Sequence, residues 1–381
     1  MNITRRKTLA LIGGGVITAA AATGYAVTRS PSEALAPWDL AGTYSDPRKK
    51  ALSFALLAPN PHNRQPWIVD LSKDSEVTLF ADLTKLLPET DPLNRQITIG
   101  LGCFLEIMRM AAAQDGYGID LTLFPEGQND SHLDTRPIAH AVFTKDASQK
   151  PDPLFQYVMA RRPHKAPFDT SRAVMPDALA QLASAVGHGV QFGGSVDAQD
   201  VAELRDLTHT ALQIEVETPH TYQESVDLFR IGHREVNANP DGIDFSGPLF
   251  ETLHLTGLFT RETVTDTTST AYKSGLDAVF ANTDTAMGHV WLVTETNTRQ
   301  DQIIAGQSWV RVNLATTALG LGLQPLSQVL QEYPEMDSPY QTIHNRLAPN
   351  GGTVQMLGRI GYGPQVAPSP RWPLEAKIAQ T

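Results

Sequence analysis

Cysteine is almost missing from this sequence. Cys103 is the only one in 381 residues, so no disulfide can form within the chain. It lies in the apolar run LGCFLEIM, where a thiol acts as a small hydrophobe and not as an activated nucleophile. Positive charge is also in short supply, with 30 Lys and Arg against 41 Asp and Glu and a net charge of −11. That balance excludes nucleic acid as the main partner, because phosphate backbones need a basic face. The 11 histidines show neither HxxxH nor HxH spacing, so no metal site is indicated. There is no GxGxxG after a strand, no GxxxxGK[ST] and no GxSxG, which removes the common dinucleotide, nucleoside-triphosphate and serine-hydrolase signatures. Beyond Val27 no apolar stretch is long enough to span a bilayer.

The first residues are of a different kind. MNITRRKTLALIGGGVITAAAATGYAV opens with Arg5-Arg6 and continues without charge from Leu9 to Val27. A basic start followed by a weakly apolar, Gly- and Ala-rich run reads as a twin-arginine export signal. It implies a chain delivered folded to the periplasm by the twin-arginine machinery, either cleaved after Ala26 or Ala36 or retained as an anchor. Residues 28–45 read as a linker.

The remainder alternates helix and strand patterns. WIVDL, EVTLFAD, GIDLTLFPEG, IAHAVFTKD, HVWLVTET and TVQMLGRIGYG read as strands. ITIGLGCFLEIMRMAAAQ, PDALAQLASAV, AQDVAELRDLTHTALQIEVE and QIIAGQSWVRVNLATTALG have helical spacing, and DPLFQYVMARR reads as a helix stopped by Pro163. Residues 230–275 have no clean period, and the tail PQVAPSPRWPLE is extended.

An internal repeat runs through this pattern. A shift of 204 positions places Arg95-Gln96 on Arg299-Gln300, Gly102 on Gly306, Ala111 on Ala315, Gly116 on Gly320 and Gly118 on Gly322. The same helix-to-strand context surrounds both copies, which points to duplication. The expected fold is α+β, built from two tandem halves that pack as an internal pseudo-dimer.

Two stretches carry chemistry. APNPHNRQPW (58–67) is a stiff, proline-rich loop with three side-chain amides, Asn60, Asn63 and Gln65, which both donate and accept. ARRPHKAPFD gathers Arg161, Arg162 and Lys165. It reads equally as an anion site or as cations at the end of a helix dipole. Arg371, between prolines in the tail, is a candidate to reach the same anion. His62 and His164 are candidate acids, each read more simply as a polar loop residue.

These stretches resemble segments of the FMN-dependent nitroreductase family. The loop is similar to that family's PSxxNxQPW, with Asn60 in place of the serine and Asn63, Gln65, Pro66 and Trp67 matching. RRPHKAPF resembles its RxSxR-x-F segment, with Pro163 for the serine and Lys165 for the second arginine. AGQSWVRVNLATTALGLGLQPLSQ resembles its late helix and glycine turn, and LGRIGYG with SPRWPLE its last strand and tail. Their order and the doubled length are similar to the Acg-like branch, in which two nitroreductase halves are fused. The resemblance implies residues 1–36 as signal and linker, 37–150 as the first half, and 151–381 as the second, with a lid at 225–290.

It further implies one FMN between the halves. Asn60, His62, Asn63 and Gln65 would serve it from one side, and Arg161, Arg162, Lys165 and Arg371 from the other. Arg161 and Arg371 would meet phosphate and ribityl oxygens, Lys165 the N1/O2 edge of the ring, and the backbone at Gln324 and Pro325 the region near N5. The implied activity is reduction or oxidation of a small aromatic or quinone-like molecule by a monomer. FMN sequestration without turnover is the alternative. The resemblance names no catalytic residue.

Overall fold

The computed structural model describes residues 29–379. The twin-arginine stretch and the cleavage point at Ala26 lie outside the described residues. The first half forms an antiparallel sheet from β1 (Trp67–Asp70), β2 (Glu76–Ala81), β3 (Tyr117–Leu123) and β4 (Ala139–Lys145), ordered β1-β2-β4-β3. The strands of the second half start with β5 (Gln191–Ser195). A parallel ribbon of β6 (Phe229–Ile231) and β7 (Ile243–Phe245) follows, then β8 (Gly288–Thr294), β9 (Gly322–Pro325) and β10 (Thr353–Gly361). Its sheet is ordered β5-β8-β10-β9 and is again antiparallel. The two sheets therefore repeat one topology, and each half inserts a long helix between its second and third sheet strands.

Those two helices are Arg95–Gln114 and Arg299–Ala318, both 20 residues long and offset by the 204 positions of the sequence repeat. Each is started by a carboxylate. Asp91 accepts from the backbone N–H of Gln96 at 3.0 Å and of Ile97 at 2.9 Å, and burial raises its pKa to about 7. Thr298 and Asp301 form a capping box on the second helix. Each chain segment leaves its helix through a left-handed glycine, Gly116 or Gly320.

The helices cross at Gly102 and Gly306. A methyl group on Gly102 would collide with the carbonyl of Ile303, and one on Gly306 with the carbonyl of Ile99. These contacts are exchanged by the same offset, which is the signature of a two-fold axis within one chain. The Cys103 thiol is buried at this crossing and donates to the Gly306 carbonyl at 3.1 Å. Burial pushes its pKa up to about 12, so it is not a nucleophile. One apolar core runs through both halves and includes Trp67, Phe104, Leu292, Trp309 and Ile360.

The symmetry breaks at one hairpin. Where β1 and β2 are joined by residues 71–75, β5 and β8 are joined by residues 196–287. This insertion starts earlier than the expected lid at 225, because the helix Ala198–Glu217 already belongs to it. Its outer part has its own small core of Val226, Ile231, Phe259 and Val264.

Several local expectations are corrected. Residues 28–45 are not all linker, since Ser32–Leu40 is a helix in spite of Pro37. Burial of Ala34, Pro37 and Trp38 outweighs the lost hydrogen bond. The expected helix over DPLFQYVMARR shortens to a 3-10 turn, Pro153–Tyr157. Strands β5 and β9 were hidden by paired glycines and by Pro325, which sequence patterns count against strands. The tail does return to the first half: Ile378 bridges Val69 in parallel, and the Ala379 N–H donates to the Val69 carbonyl at 2.8 Å. That contact covers part of the edge strand β1.

Candidate functional site

The opening loop lies on the first core helix, where Gly100 leaves room for it. A methyl group there would stand 3.1 Å from Asn60 Cβ. Within the loop His62, Asn63 and Gln65 all have positive φ, at 44°, 53° and 51°. Left-handed backbone costs about 1–2 kcal/mol for each such residue, so three within four positions need compensation. The amides provide it. Asn60 Oδ1 accepts from the Gln65 N–H at 2.7 Å. Gln65 Nε2 donates to the Pro240 carbonyl at 2.6 Å, and its Oε1 accepts from the Trp372 N–H at 2.8 Å. Asn63 Nδ2 donates to the Pro370 carbonyl at 3.0 Å, and its Oδ1 accepts from Arg371 Nη1. The side chains of Asn60, Asn63 and Gln65 are thus committed to shaping the loop and to binding the tail and the insertion.

The tail brings Arg371 to Arg161. Both are buried, and both donate to the Leu57 carbonyl. Arg161 also donates to Asn313 Oδ1 at 3.0 Å. Arg162 lies half-buried with its Cζ 4.4 Å from the Trp38 ring centre, and Arg371 Cζ is 6.0 Å from the same ring. Trp38 is fixed by donating Nε1 to the Ser369 carbonyl at 2.8 Å. The helix that the sequence hid therefore forms one wall of this cluster.

No carboxylate pairs with Arg161, Arg162 or Arg371 among the described residues. The Nε of each is buried without an acceptor, as is Trp372 Nε1, and His164 Nδ1 is buried without a partner. Burial, with the neighbouring guanidinium adding to it, pushes Arg161 down to about 10. Arg371 falls to about 9, mainly through burial and then through Arg161 and Arg162. Burial also lowers Arg162. Buried cations are ordinarily paired with acids; among the described residues these arginines meet only neutral acceptors, a donor set that suits an anion.

The pseudo-two-fold axis supplies a comparison. Arg109 stands 204 positions before Asn313, next to Arg311. Both arginines have protein counter-ions. Arg109 meets Glu106 at 2.7 Å, while Arg311 meets Glu106 at 2.8 Å and Asp152 at 2.6 Å. The chain neutralises its cations on that side and leaves them open on the other.

Lys165 projects from the same arginine segment and is exposed. Its ammonium is nevertheless held below the ordinary lysine range by the mass of protein around it, opposed by the Glu215 carboxylate. His62 lies within electrostatic range of this ammonium. Burial first, then the charges of Lys165 and Arg64, depress its pKa to about 4, so the ring is neutral at pH 7. Glu215, buried and hydrogen-bonded by Gln331 Nε2 at 2.6 Å, is raised to about 7 by burial, with Lys165 working against the shift. The sequence reading missed Glu215 and Asn313, which lie inside ordinary helical patterns, and Trp38, which lies in the stretch read as linker.

Gln324 and Pro325 stand on β9, opposite Arg359 and Gly358. The Gln324 side chain accepts from Arg359 Nε at 2.7 Å. Pro163 bridges Leu323 on the same strand, and the His164 N–H donates to the Leu323 carbonyl at 2.9 Å. The arginine segment is thereby laid along β9, while Arg161 crosses to Leu57 in the first half. His164 is buried and spends Nε2 on the Pro364 carbonyl at 2.7 Å.

The insertion is tied to this assembly. Asp241 is buried between Lys85 at 2.5 Å, Arg230 at 2.8 Å and Arg64 at 3.4 Å. Glu224 accepts from the N–H groups of Glu89 and Thr90 at 3.0 and 2.9 Å.

No family model matches the chain. Over 124 residues it is 30% identical to the "Putative NAD(P)H nitroreductase acg" of Mycobacterium tuberculosis, a match that covers 32% of this chain and 36% of that protein. The chain thus spans only about a third of that relative's length. A second protein of that organism, given the same functional name, is 24% identical over 331 residues, covering 85% of this chain and 88% of its own. Among solved structures, an FMN-dependent nitroreductase NfnB from Mycobacterium smegmatis in complex with NADPH is 16% identical. It covers 58% of this chain and 95% of its own, with a TM-score of 0.36.

Proposed function

We propose that this chain is an FMN-dependent oxidoreductase of the nitroreductase type, with one flavin site at the junction of its halves. The observation that carries the reading is the group of three arginines, Arg161, Arg162 and Arg371, gathered from both ends of the second half around Leu57 with buried donors and no counter-ion among the described residues. A phosphate fits that donor set. The mycobacterial relatives with nitroreductase names support the same class.

In this reading Arg161 and Arg371 hold the phosphate and ribityl end. Lys165 lies toward the ring, where a cation favours the reduced, anionic form. The backbone of β9 at Gln324 and Pro325 faces the ring. Bound there, FMN supplies hydride or single-electron transfer to a small aromatic or quinone-like partner. His62, neutral at pH 7, offers the site a hydrogen bond without adding charge. The loop amides act one step back, by fixing the loop and the tail that carries Arg371.

The N-terminal pattern supports export by the twin-arginine route to the periplasm, where soluble NAD(P)H is scarce and another donor fits better. Cleavage after Ala36 would remove Ala34, whose carbonyl accepts from the Arg371 N–H at 2.8 Å. Any cleavage therefore falls before this helix in our reading, and retention of the stretch as an anchor is the alternative. A chain holding both halves of its site needs no partner to complete it, so we propose a monomer of the fused, Acg-like kind.

A second reading, FMN sequestration with little turnover, is favoured by the insertion's anchorage through Asp241, Glu224 and Pro240. Absorption spectroscopy tests both. FMN titrated into the purified chain is expected to bind at one per chain, and the absence of binding refutes both readings. Bound flavin that dithionite reduces, but that neither reduced donors nor quinones and nitroaromatics turn over, selects sequestration.

A further inference from the structure

The insertion carries an apolar tip. In the helix Pro248–Leu255 and the turn after it, Leu249, Leu255 and Leu258 are 65, 72 and 62% exposed. Residues 254–258 are all exposed, and Gly257 has open space around it. Residues 248–258 carry no exposed acid: Glu251 is buried and held by His233 Nδ1 at 2.5 Å, and the exposed Glu262 beyond the turn lies within range of His254. In a chain of net charge −11, a stretch with three exposed leucines and no exposed acid stands apart. Isolated surface leucines need no explanation, but a group of them on a projection marks a contact.

The path of the N-terminus says what that contact is. The uncharged run Leu9–Val27 ends two residues before Arg29. Arg29 is close enough to Glu251 to favour its ionised form. A few residues on, the Ala34 N–H donates to Asn237 Oδ1 at 3.0 Å. The stretch able to enter a bilayer therefore joins the fold beside the helix that bears the exposed leucines.

We propose that, with the N-terminal stretch retained as an anchor (one of the two export readings above, on which this rests), the tip is a second membrane contact seated in the headgroup and acyl boundary beside it. A single apolar anchor leaves the attached domain free to swing. A second apolar contact beside it fixes which face meets the lipid. Lack of an exposed acid on the tip fits this role, because a charge carried into the boundary would have to be dehydrated.

The test uses the full chain reconstituted in vesicles of phosphatidylethanolamine and phosphatidylglycerol. An environment-sensitive fluorophore is placed on Thr256→Cys, or on Ala147→Cys in an exposed loop of the first half. Because Cys103 is buried, each variant labels at one position. The label at position 256 is expected to shift to the blue and to be quenched several-fold more by acyl-chain nitroxide lipids than the label at 147. Leu255→Ser with Leu258→Ser is expected to abolish that difference while leaving the melting temperature unchanged. Equal quenching at the two positions overturns the proposal. So does shielding at 256 that appears without vesicles and grows with protein concentration, which would assign the tip to a second copy of the chain. FMN binding has no part in these readouts, so failure of the flavin reading and failure of this one are distinct results.

Discussion

Arg161 and Arg371 donate to the same oxygen, the carbonyl of Leu57, at 2.8 and 3.3 Å. Two like charges 210 residues apart converge on one neutral acceptor, and the described residues provide no acid to separate them. An arrangement of that kind gains stability when something negative joins it. Arg161→Gln and Arg371→Gln are each expected to weaken FMN binding by about tenfold or more, from the loss of a charge-assisted contact of about 1.5–3 kcal/mol. Quenching of flavin fluorescence on titration measures it. Wild-type affinity in both variants would remove these residues from the site.

Gln65 acts through the chain around it. Gln65→Ala leaves the Trp372 N–H without its acceptor and the Pro240 carbonyl with only the 3.5 Å contact from Asn63 Nδ2, at a cost of about 1–3 kcal/mol for a buried unpaired group. Lower stability in urea and faster proteolysis of the tail are expected, with weaker FMN binding following from the displaced Arg371. A variant that loses flavin but keeps full stability and a protected tail would show that Gln65 touches the flavin directly.

Gly102→Ala and Gly306→Ala each push a methyl group into a backbone carbonyl that cannot turn aside. Both are expected to destabilise by about 3 kcal/mol or more, in the upper part of the overpacking range. The two-fold relation requires the losses to be similar. Denaturant midpoints that differ widely would mean that the crossing is not symmetric in energy.

Glu215 gives stability a slope with pH. Its folded pKa of about 7 lies above the ordinary 4.5, so the folded state holds the proton more tightly. That contribution is complete below pH 4.5 and is lost as pH rises through 7. Glu215→Gln should remove the loss, narrowing or reversing its stability difference from wild type by about 3 kcal/mol between those limits. Melting temperatures across that range provide the check, and parallel curves would contradict it.

Asp241→Asn leaves Arg64, Lys85 and Arg230 with less compensation. Breaking a buried ion pair from one side costs about 3–5 kcal/mol. Hydrogen exchange is expected to speed up in residues 225–245 before it does in the core helices, and bound FMN to dissociate faster. Unchanged exchange there would mean that other contacts hold the insertion down.

Much of this arrangement was legible in the sequence because it rests on local signals. The repeat was visible at Arg95-Gln96 and Arg299-Gln300, and the helices it implied keep that offset to the residue. Both glycine exits were readable for the same reason: left-handed geometry selects one residue type. The loop at 58–67 and the arginine segment were found as chemistry. What could not be read was how the amides are spent. Asn63 and Gln65 look free on paper, and only the fold brings Pro240, Pro370 and Trp372 to them. The helix Ser32–Leu40 was hidden by Pro37, because the burial of Trp38 that stabilises it comes from residues more than 300 positions away. Glu215 gave no signal at all, since a glutamate near a helix end is ordinary until its surroundings are known.

The glycine crossing has one more consequence. Because each core helix takes its closest neighbour from the other half, neither half is a folding unit in its own right. A chain cut in the loop at residues 146–152 should yield two fragments that are unstructured apart and regain structure together. Deletion, the usual way of assigning roles to domains, would here report only loss. The functions of the halves have to be separated by complementation, with an altered copy of one supplied to an intact copy of the other.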